Sequence, residues 1–142
     1  MRTALLALAA GLALTAPAAG APKARILAHD AVIRPATAGQ PTTAAYLTLD
    51  NPTSGPLTLA GVSCGCADMV EPHASEMAGG VMRMRAAPAL VVPAHGSLVF
   101  RPGGLHLMVM DLKRPILAGD HVSMHFRFDH GPPATIDFVA GR

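Results

Sequence analysis

The sequence has no tryptophan, one tyrosine and four phenylalanines in 142 residues. Charge is also scarce. Asp, Glu, Lys and Arg make up 14% of the chain and form no basic run, so the electrostatic footprint that nucleic acid requires is missing. Cysteine is limited to Cys64 and Cys66, which are too close in sequence to staple a fold across its width. No stretch after the first twenty or so residues shows a sustained helical period with caps, an internal repeat or low complexity. The one long apolar run, residues 3–15, follows Met1-Arg2 and precedes the small residues Ala16-Pro17-Ala18. That three-part pattern reads as a secretory signal peptide, and the run is too short to serve comfortably as a membrane anchor. A cut after Ala18, or a few residues later, leaves 19–142 as a single domain with enough length for one hydrophobic core.

Against these shortages stand 8 Met and 7 His, in a chain with only 9 carboxylates. Methionine fills gaps in cores, so by itself it proves little. Methionine and histidine together in an exported protein suit a soft or borderline metal.

Pro and Gly punctuate short strand patterns. The spacing predicts strands over 24–34, 43–50, 57–62, 69–74, 81–85, 90–92, 97–100, 105–112, 121–129 and 134–139, and so an all-β antiparallel sandwich or barrel. In 43–50, Leu47 and Leu49 face one way and Tyr46 and Thr48 the other. In 121–129, Val122, Met124, Phe126 and Phe128 share one face, so Met124 is expected in the core and His125 in solvent. Met69 is expected in the core, and His29, His95, His121 and His130 are expected solvated.

The same alternation sorts Leu105-His106-Leu107-Met108-Val109-Met110. Leu105, Leu107 and Val109 look like core, which puts an imidazole and two thioethers on the other face. His106 and Met108, two apart, can reach one ion from one side of a strand. Chance alone would give about 0.4 His-x-Met pairs in a chain of this composition, so the pair needs support. It comes from spacing: His73, ten residues, Met84, twenty-one residues, His106, one residue, Met108.

That pattern resembles the signature of the PCuAC family of periplasmic copper chaperones. Ala44-Ala45-Tyr46-Leu47-Thr48-Leu49-Asp50-Asn51, Gly80-Val81-Met82-Arg83-Met84-Arg85 and Pro102-Gly103-Gly104-Leu105-His106-Leu107-Met108-Val109-Met110 look like the family's blocks, so the likeness spans nearly the whole chain after the leader. It implies a cupredoxin-like, Ig-like Greek-key antiparallel β-sandwich with no enzyme activity. The domain is expected to be a periplasmic monomer, without a membrane anchor after signal cleavage and without nucleic acid as a partner. The likeness also implies Cu(I) as the ion, with Cu(II) as a further state, bound by His73, Met84, His106 and Met108. Delivery toward cytochrome c oxidase follows, with an oxidase subunit or a Sco-type protein as partner. Copper storage or tolerance is the related alternative.

The donor chemistry agrees. Neutral thioethers suit Cu(I), avoid the disulfide formation that thiolates risk outside the cell, and let a carrier release its ion. Met82, Met77 and Met110 are accessory candidates, either as alternate ligands or as surface packing. Cys64-Gly65-Cys66 departs from the family. In an extended segment the two Cα atoms would stand near the upper limit for a disulfide. A strained bridge, a redox-active pair serving a thiol redox protein, and extra Cu(I) ligands all remain open. The seven-residue separation from His73 would allow the pair to lie near the copper site.

Overall fold

The structure is a computed structural model and describes residues 24–142. The expected signal peptide, 1–18, lies outside the described residues. Ten strands follow one another with no helix among the described residues: β1 (Leu27–Ile33), β2 (Thr42–Asp50), β3 (Leu57–Cys64), β4 (Ala67–Ala78), β5 (Val81–Ala86), β6 (Val91–Val92), β7 (Ser97–Phe100), β8 (Leu105–Leu112), β9 (His121–Asp129) and β10 (Ala134–Ala140).

Seven of these close into a ring in the order β4-β8-β2-β1-β10-β9-β3, with β3 returning to β4 through the Val62–Val70 pair. The fold is all-β and cupredoxin-like, a sandwich whose sheets join into a barrel. One neighbour pair departs from the antiparallel expectation: β1 runs parallel to β10, with Val32 beside Val139. β5 hangs on the outer edge of β4, and β6 on β3. β7 and β8 share β2 as a common neighbour, β7 taking residues 47–50 and β8 taking 42–45.

Alternation builds the core. Leu47 and Leu49 of β2, Leu107 and Val109 of β8, Met124 and Phe126 of β9 and Phe138 of β10 are all fully buried. Phe126 and Phe138 stack with ring centroids 6.3 Å apart. Asn51, at the end of β2, is also buried. Its amide donates to the Gly55 and Val92 carbonyls and its oxygen accepts from the Thr53 N–H and hydroxyl. A buried amide with its hydrogen bonds made is tolerated, and here it ties the 51–55 turn to β6.

Two expectations are corrected. Met69 is exposed rather than core, because it shares the outward face of β4 with Glu71 and His73. Cys64-Gly65-Cys66 is a turn rather than an extended segment; its Cα atoms stand 5.1 Å apart, well inside the range for a bridge, and the two cysteines are joined in a disulfide.

Candidate metal centre

β4 and β8 pair in a register that sets His73 directly opposite His106, with ring centroids 6.0 Å apart. Glu71 stands opposite Met108, one rung along on the same face. On the other side of β4, Ser75 faces Met84 and His73 faces Ala86, so Met84 sits one rung from the histidine pair on the hairpin arm. Sequence spacing thus becomes a local cluster. Twenty-one residues separate Met84 from His106, yet only β4 lies between their strands.

The local sequence explains how His106 is aimed. Residues 101–104 turn the chain from β7 into β8, with Gly103 at φ 78°, a conformation that favours glycine. The turn closes by Gly104 N–H donating to the Arg101 carbonyl and Arg101 N–H to the Leu105 carbonyl. This presents the Gly104 carbonyl to His106, whose Nδ1–H donates to it at 3.1 Å. The tautomer is thereby fixed with Nε2 as the bare lone pair. His73 is arranged the other way round. Its Nε2 lies 3.4 Å from the Glu71 carboxylate and donates to it, leaving Nδ1 bare.

His106 is 4% exposed, although its strand face points away from the core. Among the described residues, His106 Nε2 and His73 Nδ1 are the two buried side-chain nitrogens or oxygens without a hydrogen-bond partner. Leaving such a group unsatisfied costs about 1–3 kcal/mol. Two bare imidazole lone pairs on facing rungs, flanked by neutral thioethers, fit a soft monovalent ion that would satisfy both. An ordinary core histidine would have found a backbone partner for its second nitrogen.

An open concavity of about 530 Å³ lies over this face, lined in part by Tyr46, Met82, Met84, Pro102, His106 and Met108. Met84 is 55% exposed, so one donor stands at the rim while His106 lies at the floor. No carboxylate lines the concavity, which disfavours hard cations such as Ca²⁺ or Mg²⁺.

The structure brings His73, His106 and Met108 together on adjoining rungs, with Met84 one rung away on the neighbouring strand. Met82 lines the same concavity from the next rung out, whereas Met110, Met77, Cys64 and Cys66 are not brought to that point. Met110 lies opposite Met69, four residues along β8 from His106 and so roughly 14 Å away at strand rise. Met77 lies opposite Met82 toward the hairpin tip, four residues along β4 from His73. Cys66 precedes His73 by seven positions of near-continuous strand, roughly 23 Å, so the disulfide stands at the start of β4, well away from His73 at mid-strand. Sequence reasoning missed Glu71. Its signal was parity, since Glu71 and His73 are two apart on one strand face.

Known proteins share this fold. The model of the LpqE-like family, described as "Putative lipoprotein LpqE-like", matches residues 26–140. "Putative lipoprotein Lxx21020" of Leifsonia xyli subsp. xyli is 32% identical over 100 residues, covering 70% of this chain and 60% of that protein. The chain therefore spans about three fifths of the length of that curated relative. Among solved structures, the copper-bound PCuAC domain from PmoF2 superposes with a TM-score of 0.69 at 20% identity, over 84% of this chain and 95% of that one. The solution structure of CuI-DR1885 from Deinococcus radiodurans gives 0.63 at 28% identity, over 88% and 82%. Apo-DR1885 gives 0.63 at 27%, over 99% and 97%. No helix of the described residues is long and apolar enough to cross a membrane.

Proposed function

The chain belongs to the LpqE-like family, that of the PCuAC domains, and from that premise we propose that it is an exported copper carrier holding Cu(I) between His73, Met84, His106 and Met108. One observation carries the reading: His73 Nδ1 and His106 Nε2 are buried, bare and set on facing rungs between thioether-bearing positions. Four neutral donors leave the bound ion its own single positive charge, which the Glu71 carboxylate behind His73 offsets. Holding both rings by hydrogen bonds before the ion arrives lowers the ordering cost of binding. Met84 at the rim gives the ion a route out, because it is the donor that can swing into solvent without opening the barrel.

The periplasm is the compartment that suits thioether donors, and delivery toward cytochrome c oxidase, through an oxidase subunit or a Sco-type protein, is the use we assign to the carrier. Its chemistry is binding and hand-off, without catalysis. X-ray absorption on the Cu(I)-loaded chain tests the ligand set. Mixed nitrogen and sulfur scattering that loses sulfur in Met84→Leu and again in Met108→Leu is expected, whereas a shell unchanged by both would overturn it. Oxidase activity in a deletion strain at limiting copper tests the use. A defect rescued by added copper supports delivery, and normal activity with copper sensitivity supports tolerance instead.

A further inference from the structure

The strand register gathers methionine far beyond the four-donor set. Of the eight methionines, Met1 lies outside the described residues and Met124 is in the core. The other six, Met69, Met77, Met82, Met84, Met108 and Met110, fall on the outward face of β4, β5 and β8. Three of them, Met77, Met82 and Met84, lie where β4 and β5 pair, an arm that closes through Gly79 and Gly80, both at positive φ. At its tip Met77 stands directly opposite Met82, and the next rung inward pairs Ser75 with Met84.

Directly opposed side chains have Cβ atoms about 5 Å apart, and diagonal ones about 7–8 Å, which flexible thioethers can bridge. The register therefore places the Met77, Met82 and Met84 side chains within reach of one another. Packing does not account for it. Every residue of β5 is exposed, and Met77, Met82 and Met84 are 65%, 53% and 55% exposed. An edge strand is usually guarded by charge, as Arg83 and Arg85 guard the other face of β5. Apolar side chains left in solvent on one face of such an edge point to something they bind.

We propose that Met77 and Met82, sharing Met84, form an outer all-thioether Cu(I) site at the hairpin tip, from which the ion passes by way of the Met84 rung to His73 and His106, two rungs inward, and to Met108. The inference rests on the inner site described above. Met84 is common to both sets and stays bound during the transfer. The Met77 and Met82 sulfurs leave as the two imidazole lone pairs and the Met108 sulfur arrive. The ion remains Cu(I) throughout, and no proton moves, because both ring nitrogens already stand bare.

The test labels the methionine methyl carbons of the purified chain and titrates Ag(I), a redox-inert soft cation of the same charge. The first equivalent is expected to move Met84 and Met108. A second, held about a hundred-fold more weakly, is expected to move Met77 and Met82. The Met77→Leu/Met82→Leu variant should lose the second equivalent and load from a Cu(I)–chelator complex about five-fold more slowly. Circular dichroism confirms that it folds. Met77 and Met82 methyls that stay in place at excess Ag(I), or a variant that keeps the second equivalent, would overturn the outer site. Movement of Met77, Met82 and Met84 without Met108 supports the outer site while breaking the inner one, and movement of Met84 and Met108 alone does the reverse.

Discussion

His73 and His106 differ from His29 and His121 in what their ring nitrogens already touch. His29 on β1 is exposed and holds carboxylates at both nitrogens, Asp30 at 2.7 Å and Asp50 at 3.1 Å. His121 on β9 is exposed and lies 2.6 Å from Asp137. Hydrogen bonding to Asp30, aided by the charge of Asp50, raises the His29 pKa above its ordinary value. Such a ring holds its proton more tightly. His73 and His106 each use one nitrogen to fix the ring and leave the other bare among thioethers, which cannot protonate or repel the ion. The same side chain is held against carboxylates in one place and left with a bare nitrogen among thioethers in the other, and the neighbours decide which.

Substitution is the strongest way to break this contrast. His106→Ala is expected to lower Cu(I) affinity about a thousand-fold by competition with a chromogenic chelator, because it removes a ligand and leaves His73 without its partner across the register. His121→Ala should leave affinity unchanged, and an equal loss in both would erase the distinction. Acidification comes next. Between about pH 7.5 and about pH 5, Cu(I) affinity should fall about a hundred-fold as protons compete for the two bare nitrogens. Equal affinity at both values would remove the histidines from the site.

A smaller effect is expected from Glu71→Gln, about ten-fold in affinity, since the carboxylate that orients and polarises His73 is exchanged for a neutral amide. The His73 ring should then show altered tautomer populations by nitrogen NMR, which a merely structural role would not produce. The smallest effect lies on the other side of the comparison. Asp30→Asn should bring the His29 pKa back down toward its ordinary value in a proton NMR titration. Because the folded-state pKa is raised, the pair stabilises the fold below the unfolded-state pKa. That contribution fades as pH rises through the folded-state value. His29 is exposed, so melting curves should scarcely register it.

Much of the fold was legible because strand alternation is local. Val122, Met124, Phe126 and Phe128 alternate cleanly, and so do Leu47 and Leu49, so their burial could be read without knowing any neighbouring strand. The outward direction of His106 and Met108 was legible for the same reason. The burial of His106 was not, because it depends on the 101–104 turn and on β4 lying alongside. Nor was the exposure of Met69, whose run 69–74 gives no clear alternation until β8 fixes its faces. The shape of Cys64-Gly65-Cys66 escaped as well. A three-residue turn and a three-residue extension differ only in backbone angles, which glycine leaves open.

The sequence by itself therefore determined the class of strand-built fold, the inward and outward sense of most side chains, and the stock of soft donors. Those properties depend on residues one or two positions apart. Tertiary structure alone decided that β1 runs beside β10 in parallel, that His73 faces His106, and that Glu71 stands behind one ring and the Gly104 carbonyl behind the other. A metal centre needs distances between strands, and those are set by barrel closure and register, which long-range packing fixes and no local spacing encodes.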